Sequence, residues 1–290
     1  MIQISRSIAS DIFNIWTFTE PCLIGTTYFT GNAPCYPQAP LGVQIYHVFN
    51  DSWEVSAQVS QGYYGATGRN NVRGVNWNIK GSDGIETITE FTRKGGTYNL
   101  NPKNNGKPWF IKVGVQFHTG PIFQNNVDIN GDSAGLTGLR KRSVNGNAQV
   151  YAFYESMLYR QKGSYSKGLT GFVKAGTGFQ NDRNVLKRWV ATGLDYEGLF
   201  PKRDRDVLYG GWAYVQATPT FRQFQTDNKP CRLTPGCVVT GRQDVFEVGY
   251  SMELTPWFFA TPVFQYYRHP NTRSDLGDIA ALGITTKISF

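Results

Sequence analysis

From residue 280 to its C-terminus the chain alternates strictly: Leu282, Ile284, Thr286, Ile288 and Phe290 take one parity, Gly283, Thr285, Lys287 and Ser289 the other. An extended strand sends successive side chains to opposite faces, so one face of this segment suits hydrocarbon and the other suits water. The same period recurs upstream. Phe246, Val248, Tyr250, Met252 and Leu254 alternate with Val245, Glu247, Gly249, Ser251 and Glu253. Ile111, Val113, Val115 and Phe117 oppose Lys112, Gly114, Gln116 and His118, and Trp53, Val55, Ala57 and Val59 oppose Glu54, Ser56 and Gln58. No run approaches the ~18 consecutive apolar residues that a membrane-crossing helix needs. A sheet in a bilayer hides its hydrophobicity in alternation, which reconciles a 40% hydrophobic composition with a negative mean hydropathy. The chain therefore reads as all-β, a transmembrane antiparallel up-and-down β-barrel.

About a dozen segments of roughly ten residues carry this pattern, over 9–18, 40–49, 52–60, 84–93, 108–118, 147–160, 168–179, 187–197, 206–218, 244–254, 257–267 and 280–290. With Phe290 on the periplasmic side, the tight turns at Asn50-Asp51 and Thr255-Pro256 fall inside, and the long loops 19–39, 61–83, 119–146, 219–243 and 268–279 fall outside. The turn at 94–107 is longer than that rule expects. Aromatic clusters at Trp109-Phe110, Tyr151 to Tyr159, Trp257-Phe258-Phe259 and Tyr266-Tyr267 suit interfacial girdles, or equally an aromatic-rich β core. No internal repeat, low-complexity tract or linker divides the chain, so residues 1–290 read as one domain. Residues 1–20 lack a basic segment, apolar run and small-residue cleavage site. The expectation is that a secretory signal and part of the N-terminus precede this sequence.

Cys22 with Cys35, and Cys231 with Cys237, would each close one loop, and both local pairs suit an oxidising envelope. Neither Cys-x-x-Cys nor a Cys/His zinc spacing occurs, so no metal or cofactor is expected. The net charge of +8 could serve nucleic acid, an anionic solute or lipopolysaccharide. Its distribution excludes nucleic acid: Arg140, Lys141 and Arg142, like Lys202, Arg203 and Arg205, fall in expected loops and turns. The patch at Arg140–Arg142 suits an exposed surface facing lipopolysaccharide. Arg183 and Arg203 read as anchors, with Asp182 and Asp206 as neighbours. Catalysis has little support. The histidines are His47, His118 and His269, and no Gly-x-Ser-x-Gly or His-Glu-x-x-His occurs. The expectation is no enzyme.

Several ordered segments carry a family resemblance. They are Phe29-Thr30-Gly31-Asn32, Tyr36-Pro37, Leu41-Gly42-Val43, Gly84 with Glu90, Lys112-Val113-Gly114, Phe172 and Gly176, Asp182-Arg183-Asn184, Gly193-Leu194, Tyr196, Gly198-Leu199, Arg203 and Asp206. The sharpest are Phe246-Glu247-Val248-Gly249-Tyr250, Pro262-Val263-Phe264-Gln265-Tyr266, His269-Pro270 and the terminal Phe290. Over roughly residues 20–290 the chain resembles the carbohydrate-selective porins of the OprB family. That resemblance implies an outer-membrane, water-filled barrel passing monosaccharides through a constriction lined by arginine and glutamate. It also implies a barrel of roughly 16 strands, of which about four N-terminal ones are expected to be missing here. The last strand with its aromatic terminus resembles the signal read by the barrel assembly machinery.

A sugar-passing lumen needs hydrogen-bonding groups that replace hydration only weakly. Glu90, Lys112, Gln116, Lys174, Glu247, Glu253 and Gln265 fall on expected lumen faces, with Glu247 and Gln265 foremost because family-like segments surround them. Three functions stay open: a sugar porin, a general or anion-preferring porin suggested by the charge of +8, and a secreted β-sandwich that binds carbohydrate through its aromatics. Expected partners are outer-membrane lipid and lipopolysaccharide, small sugars as solutes, and the assembly machinery. Self-association into a homo-oligomer is left open.

Overall fold

The structure, a computed structural model, describes residues 42–62, 81–96 and 106–288. Eleven strands follow one another: β1 (Gly42–Asn50), β2 (Trp53–Gln61), β3 (Ile85–Gly95), β4 (Trp109–Asp128), β5 (Lys141–Arg160), β6 (Gly168–Gly178), β7 (Leu186–Glu197), β8 (Val207–Ala217), β9 (Arg242–Thr255), β10 (Phe258–Arg268) and β11 (Ile279–Ile288). Each pairs antiparallel with the next, in the order β1 to β11, and among the described residues β1 and β11 are not joined. The expected segment 9–18, residues Ser289 and Phe290, and the pair Cys22 and Cys35 lie outside the described residues.

Alternation sets the two faces. Glu90, Gln116 and Gln149 are buried on the inner face, whereas Leu282 is 85% and Ile284 75% exposed on the other. Phe91, Val113, Phe117, Val173, Leu194, Phe246, Val248 and Phe264 join them on that exposed outer face. So much uncovered apolar surface is incompatible with a soluble sandwich and suits contact with lipid. A slip of one residue in any hairpin would exchange the two faces, so burial holds the register.

The short β1–β2 connection is closed by Asn50, whose Oδ1 accepts from the backbone N–H of Ser52 (2.9 Å) and Trp53 (3.1 Å). Such local side-chain capping is what makes Asn a turn residue. At the opposite end the expected loop 119–146 is mostly strand. β4 and β5 continue past the neighbouring strands to Asp128 and back from Lys141, with register shifts between His118 and Pro121 and between Phe123 and Asp128. Pro121, Asn125 and Asn126 lie in this extension of β4. The irregularity at Pro121 accommodates its missing donor, and the asparagines find partners in neighbouring loops.

A four-residue helix, α1 (Ala134–Thr137), sits at the tip of this hairpin. The expected loop 219–243 contains α2 (Pro219–Asp227) and α3 (Lys229–Arg232). Thr218 caps α2 by accepting from Phe221 N at 3.4 Å, with Pro219 at the first helical position. Cys231 and Cys237 are disulfide-bonded in the same loop, with Cα atoms 5.3 Å apart.

Candidate functional site

The inner face is ordered by rows that run across the strands. One row reads Tyr46, Ser56, Glu90, Gly114, Tyr151, Gly176 and Trp189, each directly opposite the next. Gly114 is the hinge of this row. It has no side chain, so the Tyr151 ring lies across it, and the Tyr151 hydroxyl donates to Glu90 Oε1 at 2.9 Å. Glu90 is fully buried and accepts also from Lys112 Nζ (3.3 Å) and Ser56 Oγ (3.4 Å). Gly176 repeats the device one step further on: a Cβ there would meet the Trp189 indole at 2.7 Å. A buried carboxylate is tolerable only when charged or polar donors surround it; this row supplies two, Ser56 and Tyr151, and Lys112 of the adjacent row the third.

The next rows carry charge and amide groups in alternation. Gln116 donates to Glu86 and accepts from Gln149, which builds a buried Glu86–Gln116–Gln149 chain over β3, β4 and β5. Lys174 lies over the rings of Phe153 (5.8 Å) and Phe172 (5.4 Å), with Glu155 as its charged neighbour. On the far side Gln265 Nε2 donates to Glu247 Oε2 at 2.7 Å, and Tyr267 donates to Gln265 Oε1 at 2.8 Å. Interleaved with these polar groups is an apolar cluster of Ile88, Phe172, Trp189, Ala191, Ala213, Val215 and Val245. Toward the end bearing the β1–β2 turn a recess of about 410 Å³ opens, lined among others by Tyr46, Glu54, Ser56, Phe110, Lys112 and Glu155. Glu54 pairs there with Lys94.

The expected lumen residues Glu90, Lys112, Gln116, Lys174, Glu247 and Gln265 all lie on this inner face; two pairs of them touch, Glu90 with Lys112 and Glu247 with Gln265, while Gln116 and Lys174 bond or pack elsewhere. Glu253 stands apart, in a mouth ion pair with Arg205 at 2.7 Å. Arg183 and Arg203 pair with Asp182 (3.1 Å) and Asp206 (2.6 Å). Arg142 bonds Gln124 Oε1 at 2.7 Å, and Lys141 lies 3.7 Å over the Phe224 ring. Sequence reasoning missed Glu86, Gln149 and Tyr151. Tyr151 stood among aromatics left open between a girdle and a β core, yet it shares parity with Gln149 and Asn147, a signal that would have turned it inward.

Polar side chains knit the other end of the sheet into a cap. Asn125 Nδ2 donates to Asn184 O (2.6 Å) and to Thr218 and Thr220 Oγ1 (3.2 Å each). Asp227 Oδ2 accepts from Asn126 (2.9 Å) and Ser133 (2.6 Å), tying α2 to the β4–β5 tip. Gln225 and Thr272 bond at 2.8 Å, which adds the β10–β11 loop. Burial would raise the Asp227 carboxyl, but hydrogen bonds from Ser133, Asn126 and Gln223 outweigh it and hold the group below the usual carboxylate range. Asp182 behaves alike, burial being outweighed by Arg183 and Gln124. Four loops therefore form one lid over the inner face.

The arrangement is a wall of hydrogen-bonding groups inside an apolar exterior, a fold also found in solved structures. The chain is similar to Pseudomonas putida OprB in its high-pH structure, with a TM-score of 0.74 and 18% identity, covering 88% of this chain and 60% of that one. The low-pH structure of Pseudomonas putida OprB gives a TM-score of 0.50 at 12% identity, covering 89% of this chain and 58% of that one. The chain thus spans about 60% of the length of these solved relatives. No curated protein matches it significantly. The model of the carbohydrate-selective porins, OprB family, matches residues 17–290. The chain belongs to the carbohydrate-selective porin family, OprB.

Proposed function

We propose that the protein is an outer-membrane channel through which small neutral sugars diffuse passively along the inner face. The observation that carries this reading is the balance of that face. Its lysines sit beside carboxylates, Lys112 with Glu90, Lys94 with Glu54 and Lys174 with Glu155, and Glu86 and Glu247 sit beside amides, so it offers donors and acceptors for hydroxyl groups without an excess of positive charge. A diffusing solute must be held weakly enough to leave, and hydrogen-bonding groups already engaged with one another meet that need. The same pairing argues against an anion-preferring pore, since the charge of +8 resides largely in loops. Glu90, Lys112, Gln116, Lys174, Glu247 and Gln265 are the proposed solute contacts, and Glu253 helps shape the mouth. The chain works as a single channel domain without catalysis. Lipid meets its outer face, lipopolysaccharide its basic external loops, and β11 carries the segment handed to the assembly machinery.

Liposome swelling with the refolded chain tests the reading, comparing glucose, a disaccharide and a charged solute of similar size. Faster glucose uptake supports it. Equal or faster uptake of the charged solute refutes the selectivity, and the absence of swelling by any solute refutes the channel.

A further inference from the structure

On the outer face, at the end bearing the short β1–β2 turn, one cation lacks a carboxylate. Arg93, near the end of β3, stands directly opposite Trp53 of β2 and Ile111 of β4. Its guanidinium carbon is 5.2 Å from the Trp53 ring centre and 5.9 Å from that of Trp109. Trp109 is itself seated: it pairs with Gly95, where an added Cβ would meet the indole at 2.8 Å. The arginines in ion pairs among the described residues are Arg183, Arg203, Arg205 and Arg273, and Arg93 is in none. Its outward neighbours Trp53, Phe91 and Ile111 are apolar and exposed.

A charge facing lipid is costly at the bilayer midplane and nearly tolerable at the interface, the level at which tryptophan collects. Arg93 sits at that level, since Trp53 and Trp109 are the first residues of β2 and β4. Ring contact engages the flat guanidinium without consuming its N–H donors, and those donors match a phosphate in fork geometry. Short turns mark this end as periplasmic, where the facing leaflet is built of glycerophospholipid. We infer that Trp53, Arg93 and Trp109 form a lipid site that holds the phosphodiester of a glycerophospholipid in the periplasmic leaflet. The inference rests on the membrane-spanning reading above and concerns the face turned away from the solute path.

The test is native mass spectrometry of the folded full chain in detergent, titrated with phosphatidylglycerol, with diacylglycerol of the same chains, with lipid A and with inorganic phosphate. The wild type should retain phosphatidylglycerol over diacylglycerol by about tenfold, the scale of one charge-assisted hydrogen bond. Arg93→Gln should remove that preference, and inorganic phosphate should neither bind nor compete. Arg93→Lys, which keeps the charge but not the planar fork, should lose most of it and decides the matter if the glutamine variant does not fold. Equal retention of diacylglycerol by the wild type, preferential retention of lipid A, or undiminished preference in a folded variant overturns the site. Sugar-driven swelling measured on the same preparations should be unchanged in Arg93→Gln. Loss of swelling in every preparation would instead strike at the channel reading and leave the lipid result standing.

Discussion

Gly114→Ala is the smallest change that should dismantle the Glu90 site from a distance. The added Cβ would fall inside the Tyr151 ring, contacting Cζ, Cε2 and the hydroxyl at once. The ring cannot shift sideways, because on its other side it opposes Gly176, which Trp189 already covers. Tyr151 must lift off β4, and Glu90 then keeps only Ser56 and Lys112 as donors. Overpacking of this kind costs about 1–3 kcal/mol, and a lost hydrogen bond to a buried charge about 1.5–3 kcal/mol. Replacing a strand glycine by alanine returns about 0.5–1 kcal/mol. The net loss is about 2–5 kcal/mol. Guanidinium unfolding of the refolded protein in lipid vesicles, followed by tryptophan fluorescence, measures it against Tyr151→Phe, which removes the hydroxyl alone and should cost about 1.5–3 kcal/mol. The double variant should be less destabilised than the two singles added together, since the displaced ring has already lost its bond to Glu90. A Gly114→Ala protein within about 0.5 kcal/mol of wild type, the error of such additivity tests, or strict additivity with Tyr151→Phe, would refute the row as described.

Lys112→Gln removes the cation beside Glu90, so planar-bilayer reversal potentials should move toward cation preference; an unmoved potential would place Lys112 off the solute path. Asp227 is held below the usual carboxylate range, so its contribution is complete above the unfolded value of about 4 and is lost as pH falls through the depressed folded value. Limited proteolysis should therefore release the β4–β5 tip and α2 together near pH 3 but not at pH 7, and Asp227→Asn should cut alike at both. Asn125→Ala should open the same two segments at neutral pH, costing the cap about 1–3 kcal/mol, with cleavage of one segment alone counting against a single lid. Cys231→Ser should leave the heat-shifted gel migration of the folded chain unchanged while speeding cleavage near residue 235, because the bridge closes a separation of only 6 residues in the β8–β9 loop.

The strands were legible because alternation writes them directly: eleven of the segments named from sequence parity begin or end within a few residues of β1 to β11, and only the lengths of β4 and β5 were misjudged badly. The expected loop 119–146 misled because propensity is local, whereas the hydrogen bonds of Asn125 and Asn126 lie about 60 to 100 residues away, at Asn184, Thr218 and Asp227. Glu90 and Lys112 were legible as inward residues, but their contact was not, because it depends on which residue of β3 stands opposite which of β4. Tyr151 was lost for the same reason. Its role exists only once Gly114 is known to face it.

The glycines that aromatic rings cover have a consequence for how the chain finds its pairing. Strict alternation distinguishes a strand from its neighbour displaced by one residue, but it is blind to a displacement of two, which keeps every side chain on its proper face. Tyr151 on Gly114, Trp189 on Gly176, Phe172 on Gly193, Tyr209 on Gly249 and Trp109 on Gly95 are all direct pairs. A displacement of two would press Tyr151, Phe172, Tyr209 or Trp109 against a side chain instead of a bare backbone: Tyr151 would meet Lys112 or Gln116, and Trp189 would meet Lys174 in one direction. The five pairs act as frame marks, telling β3–β4, β4–β5, β6–β7 and β8–β9 which of several equally amphipathic alignments is their own.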